Sequence, residues 1–275
     1  VYHLSWTQNF ALDLKENGVR EDFIKICGNP RTDNYYLAPS SNIAAYKSGF
    51  THLIFIPTSF SWAFVDEDYF LKNAKLDPEK FYSQKNITVS TVPLIFKTIR
   101  NIAYDNPSKI FILRPHPFED MKPFTNALVE SVKRPIEKNI KVIREGNVYE
   151  WIRLSDLVIG WFTTVSLEAT LFNKRNVVYQ PVTIPSSMQI DFIKMYDEIV
   201  QSDKRLHEIV NNIEQYNPVN SSLNEYVSSA FGIADGCVNK RLANEINEIL
   251  LNAIFKQKID IRYWLKIFVK SITID

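Results

Sequence analysis

The chain has 275 residues, 45% hydrophobic and 23% charged, with 32 Lys and Arg against 31 Asp and Glu for a formal net charge of +1. That length supports a sizeable core, and the near-neutral balance excludes the concentrated basic excess of a nucleic-acid binder. No apolar run reaches the roughly 18–20 residues that span a bilayer, and no basic segment followed by an apolar stretch marks a signal peptide, so a cytoplasmic location is expected.

The first residues after Val1 already read as the middle of a fold, which predicts a segment upstream of this chain. Ser5 is placed to cap a helix with apolar positions Phe10, Leu12 and Leu14, and Asn17-Gly18 stops it. A strand over Ile24 to Cys27 ends in a turn at Gly28-Asn29-Pro30. The next stretch, to about Gly49, is polar and carries Pro39, Ser40, Ser41 and Asn42, which reads as a linker. The expected domains are therefore 1–48, the end of an N-terminal domain with its linker; 49–258, a larger domain; and 259–275, a terminal helix.

From Leu53 to Ile56 an unbroken apolar strand is expected, then a helix over about Val89 to Tyr104, a strand at Lys109 to Leu113 and a helix over 118–132. Further strands fall at Ile140 to Ile143, Leu157 to Gly160, Val177 to Tyr179 and Glu198 to Val200, with helices near 148–154, 163–173 and 203–215. Asn239 to Phe255 continues with helical periodicity. Continuous apolar strands joined by helices predict an α/β fold, a Rossmann-like parallel sheet with helices on both faces, whose ligand sits at the carboxyl ends of the strands. The last segment, around Arg262-Tyr263-Trp264, reads as a helix packed on a neighbouring domain or lying on a membrane surface; its few cations make a weak anchor. Cys27 and Cys237 lack metal-ligand or redox spacing and read as reduced, small core residues.

Two segments are candidates to carry chemistry. Arg114-Pro115-His116-Pro117 follows a strand and precedes a helix, so it faces the ligand crevice, and two prolines fix the backbone that presents His116. Imidazole, guanidinium and a helix N-terminus suit a phosphate-bearing ligand. Downstream, a strand ends at Gly160 and a helix begins near Thr163, where Thr163 or Thr164 can cap it. The hydroxyls of Thr163, Thr164 and Ser166 suit a phosphate, and Glu168 is placed to accept from the two hydroxyls of a ribose. Ordinary helix capping accounts for the same residue types. No Asp-x-Asp pair sits at a strand end, so a metal-independent site without a cofactor is expected; Asp66-Glu67-Asp68 reads as a solvated helix start. Glu119 and Asp235-Gly236 are expected in structural or peripheral roles, and no residue stands out as a general base.

On these segments the chain resembles the two-Rossmann-domain glycosyltransferases called GT-B. Among them it resembles the bacterial surface-carbohydrate biosynthesis proteins related to capsule Kdo transferases, polysialyltransferases and CDP-glycerol glycerophosphotransferases. Ile24 to Asp33 is similar to the segment that closes the N-terminal domain there, Thr58-Ser59-Phe60-Ser61-Trp62-Ala63 to the loop after the first strand of the C-terminal domain, Arg114 to Pro117 to the His-Pro motif on the donor phosphate, and Thr163 to Ala169 to the hydroxyl-rich motif with its glutamate. Large aromatics at Gly160-Trp161-Phe162 depart from the small residues common there.

The resemblance implies the C-terminal, donor-binding half of a GT-B fold, with the N-terminal domain largely outside the chain. It implies a glycosyltransferase moving a sugar from a nucleotide-sugar donor to a glycan or lipid-linked glycan acceptor of a capsule or O-antigen. His116 would stabilise the leaving phosphate, and Arg114, Thr163, Thr164, Ser166, Glu168 and Ser59 would bind substrate. A CDP-polyol phosphotransferase, a UDP-amino-sugar 2-epimerase and a non-catalytic nucleotide- or glycan-binding module remain open as alternatives.

Overall fold

The structure, a computed structural model, describes residues 1–64, 77–186 and 188–256. The chain forms two compact units, one of Val1–Tyr36 with Ser229–Asp275, the other of Leu37–Ser228. Asp66-Glu67-Asp68 and the terminal segment 259–275 lie outside the described residues. Among the described residues no helix is long and apolar enough to cross a membrane.

The first unit contains a parallel pair, β1 (His3–Ser5) and β2 (Ile24–Ile26). Ser5 is the last residue of β1 rather than a helix cap: its buried hydroxyl donates to the carbonyl of Thr7 at 2.8 Å. Thr7 caps the helix Gln8–Glu16 instead, accepting the N–H of Phe10 at 3.1 Å. Phe10 and Leu12 are exposed, and Ala11 is the helix residue that is buried. Gly28 has φ +94°, and a Cβ there would lie 2.9 Å from the carbonyl oxygen of Ile233, so the turn requires glycine on both counts. The carboxylate of Asp33 accepts the N–H groups of Val238 (3.0 Å) and Asn239 (2.7 Å), satisfying two donors that open the helix Val238–Lys256. Asp235 accepts the N–H of Cys237 and pairs with Arg241 at 2.7 Å. Cys27 is buried as expected; Cys237, at that helix start, is exposed.

The second unit is built on six strands, β3 (His52–Pro57), β4 (Lys109–Arg114), β5 (Ile140–Val142), β6 (Leu157–Gly160), β7 (Asn176–Tyr179) and β8 (Ile199–Val200). All pairings are parallel, in the order β5-β4-β3-β6-β7-β8. Leu53, Ile54, Phe55, Phe111, Ile112, Leu113, Leu157 and Val158 are all fully buried, as expected for strands covered on two faces. Helices flank the sheet. The longest, Pro78–Asp105, begins well before the expected Val89. Asp77 caps it, Pro78 sits at its first position, and the hydroxyls of Thr88 and Thr91 donate back to the carbonyls of Gln84 and Ile87 at 2.8 and 2.7 Å, so a polar stretch without obvious periodicity is helical. Fully buried Arg100 on this helix donates to the carbonyls of Leu128, Val129, Val132, Arg134 and Pro135 and pairs with Glu137 at 3.0 Å, fixing the connection into β5.

The polar residues 37–48 do not form an extended linker. They include the helix Ser41–Ala45 with Ile43 buried; the N–H of Ser40 donates to Glu150 at 2.9 Å, and Lys47 pairs with Asp156 at 2.7 Å. These bonds attach the segment to the sheet unit, and the division falls between Tyr36 and Leu37 instead of near 48. Residues 229–256 group with residues 1–36, whereas the sequence reading assigned them to the larger domain.

Candidate functional site

In the strand order, β3 is followed outward on one side by β4 and β5, and on the other by β6, β7 and β8. The order therefore reverses between β3 and β6, and a parallel sheet of this kind opens a crevice at that switch point, outside the carboxyl ends of the strands. Three loops meet there: Thr58 to Phe60 after β3, Pro115 to Glu119 after β4, and Trp161 to Thr164 after β6. Pairing of Pro57 with Arg114, and of β3 with β6, makes these loops neighbours.

Glu119 ties two of them together. Its buried carboxylate accepts the hydroxyl of Thr58 at 2.5 Å, the N–H of His116 at 3.0 Å and the N–H of Phe60. Burial raises its carboxyl pKa, and these three donors oppose the rise. The sequence assigned Glu119 a structural role, and these bonds define one: the carboxylate sets where the His116 backbone lies.

His116 is half-buried, and its Nδ1 accepts the N–H of Phe118 at 3.3 Å. That bond assigns the proton of the neutral ring to Nε2. Burial, then the nearby charge of Arg144, lowers the imidazole pKa, which favours the uncharged ring. Phe118, 82% exposed, stands beside it with the ring centroids 5.3 Å apart.

Arg114 points elsewhere than the motif suggested. Its guanidinium donates to the carbonyls of Arg144, Glu145 and Gly146, each at 2.8 Å, which ties it to the loop after β5. The exposed cation beside His116 is Arg144, whose guanidinium donates to the carbonyl of His116 at 3.2 Å and to that of Glu119. Arg144 stands 28 residues from His116 and belongs to no motif; a basic residue just past the carboxyl end of a predicted strand was the available signal.

The second motif divides into reachable and unreachable groups. Thr164 is exposed and Ser59 half-buried, but Thr163 is buried and its hydroxyl accepts the N–H of Val165 at 3.3 Å. Ser166 is 1% exposed and packs behind the strand end, where a Cβ on Gly160 would come within 2.3 Å of its hydroxyl oxygen. The helix here is Val165–Leu171, only seven residues against the expected 163–173, so its macrodipole is short; half-buried Glu168 lies in its first turn. Phe162, between the buried Trp161 and Thr163, has φ +52°.

No protein-family model and no curated protein matches the sequence. Solved structures match its fold. A wall teichoic acid polymerase, TagF, aligns with a TM-score of 0.55 at 13% identity over 91% of this chain and 58% of its own. A UDP-N-acetylglucosamine 2-epimerase aligns at 0.52 with 13% identity over 94% and 59%. MnaA of S. aureus in complex with UDP aligns at 0.50 with 14% identity over 90% and 60%. The chain thus spans about three fifths of the length of these proteins, and what it shares with them is the Rossmann-like α/β fold.

Proposed function

We propose that this chain binds the nucleotide-activated donor of a transferase that moves a glycosyl unit to a surface polysaccharide. The observation that carries the reading is the junction of three loops at the switch point, where Glu119 holds the backbone of His116 and Arg144 lies beside the imidazole. The leaving nucleotide phosphate gains negative charge as its bond to the sugar breaks. An Nε2–H donor and a guanidinium fixed before the reaction stabilise that charge without reorganising. In this reading Thr164 and Ser59 would donate to the phosphate oxygens, and Glu168, on the helix that follows, would accept from a ribose. In this reading Arg114 orients the loop that carries Arg144 rather than touching the donor.

The acceptor, a glycan or lipid-linked glycan at the cytoplasmic face of the membrane, and the general base would come from a further domain, with 259–275 as a weak membrane contact. Transfer of a polyol phosphate from a CDP-linked donor is the second reading; the fold shared with TagF, a teichoic acid polymerase, supports keeping it beside sugar transfer. The epimerase fold match supports a third, in which the product remains a nucleotide sugar. The test is incubation of the full-length protein with CMP-, CDP- and UDP-linked donors and identification of the nucleotide released. His116→Ala is expected to abolish release while leaving the fold intact; normal turnover by that variant would overturn the assignment.

A further inference from the structure

The loop after β5 carries Arg144, and residues outside both turn motifs fix that loop. Glu150 is 7% exposed; its carboxylate accepts the N–H of Ser40 at 2.9 Å on one oxygen and the N–H of Asn147 at 2.8 Å on the other. Burial opposes ionisation of this carboxyl, but the donors from Asn147 and Ser40 outweigh it and lower the pKa. The hydroxyl of Tyr46 donates to the carboxylate of Glu145, and its ring meets that of Trp151 edge-on at 5.5 Å. Trp151, fully buried, donates its indole N–H to the carbonyl of Glu145 at 2.9 Å. Buried Ile43 lies against Gly146, where a Cβ would come within 2.7 Å of its side chain. Ser40, Ile43 and Tyr46 all belong to the helix Ser41–Ala45 and its flanks; Tyr46 precedes Glu145 by 99 residues. A helix of five residues does not hold itself in water, so these contacts place the helix as much as they place the loop.

We propose that the segment 40–46 is a clamp on the Arg144 loop, in which Tyr46 and Glu150 are positioning residues that hold the Arg144 guanidinium beside His116 for the donor phosphate. The inference rests on the donor-site reading and deepens it: the polar stretch that opens the sheet unit controls the one charged group at the site that neither motif supplies. An exposed guanidinium on a loose loop would have to be ordered by each ligand that arrives, whereas a loop fixed in advance spares that cost.

The test follows the ring proton shifts of His116 by NMR from pH 8 to 4 in the full-length protein and in Tyr46→Phe, Glu150→Gln and Arg144→Gln, and measures binding of UDP, CDP and CMP to each. Tyr46→Phe removes the hydroxyl on Glu145, and Glu150→Gln must turn its NH2 toward the N–H of Ser40 or of Asn147. Both should raise the His116 titration, in the direction of Arg144→Gln, and weaken binding of at least one nucleotide about 3- to 10-fold, less than loss of the whole charge-assisted hydrogen bond. Combined with Arg144→Gln, neither should move the titration further, since the clamp acts through that charge. A purely structural role would lower stability and leave the titration in place. A titration unmoved by both variants, or moved equally when Arg144 is absent, overturns the clamp, and nucleotide binding by the parent then leaves the donor site standing. Failure of all three nucleotides to bind the parent overturns the donor-site reading and, with it, the role of the clamp in donor binding.

Discussion

The backbone N–H of His116 donates to the carboxylate of Glu119 at 3.0 Å, so the residue that presents the imidazole is held by a buried acid three positions further on. The same carboxylate takes the hydroxyl of Thr58, which joins the loop after β4 to the loop after β3.

Glu119→Gln should therefore loosen the crevice. The two oxygens of Glu119 accept from three donors, and an amide must turn its NH2 toward at least one of them. The expected loss is about 1–3 kcal/mol of unfolding free energy, the cost of one unmade buried hydrogen bond. Denaturant unfolding measures it, and a variant as stable as the parent would show that the carboxylate is not the tie described.

His116 should titrate below the ordinary histidine value, because burial and then the charge of Arg144 disfavour the imidazolium. Its contribution to folding is whole above the unfolded value of about 6.5 and is lost as pH falls through the depressed folded value. Arg144→Gln removes the repulsive charge and is expected to move the His116 titration upward, part of the way back, since burial remains. The ring proton shifts of His116 followed by NMR from pH 8 to 4 decide it; a downward movement in the variant would contradict the placement of Arg144.

Arg114→Lys should act on the loop after β5 rather than on donor affinity directly. A single ammonium cannot reproduce a planar fork that reaches three carbonyls. Amide hydrogen exchange is expected to rise at residues 144–147, with protection of β4 retained. If exchange there is unchanged while nucleotide binding collapses, Arg114 contacts the ligand after all.

Gly160→Ala places a Cβ 2.3 Å from the Ser166 hydroxyl oxygen and 3.2 Å from the Thr163 methyl. Overpacking of this kind costs about 1–3 kcal/mol. Ser166→Ala removes the closer atom, so the double variant should recover much of the loss, and a double-mutant cycle should return a favourable coupling of about 0.5–3 kcal/mol. Additive losses would mean that the two residues do not meet.

Local pattern was enough for the sheet. The strands at Lys109, Ile140, Leu157 and Asn176 lie within a residue or so of their expected positions, because an unbroken apolar run bounded by turn residues has few other ways to be buried. The polar first half of the helix Pro78–Asp105 and the helix Ser41–Ala45 were not legible in that way: neither has an apolar stripe, and side-chain hydroxyls or contacts with residues a hundred positions away stabilise them.

The sequence by itself determined the parallel α/β sheet and the two strand-end turns at His116 and Thr163, since each depends on residues adjacent in the chain. Only the tertiary structure decided which groups of those turns face the crevice. It turned Arg114 toward the carbonyls of 144–146, brought Arg144 beside His116, and buried Ser166 behind Gly160. The physical reason is that a guanidinium or hydroxyl goes to whichever acceptors the packed loops place within reach. Those acceptors come from strands that are neighbours in the sheet and distant in the chain.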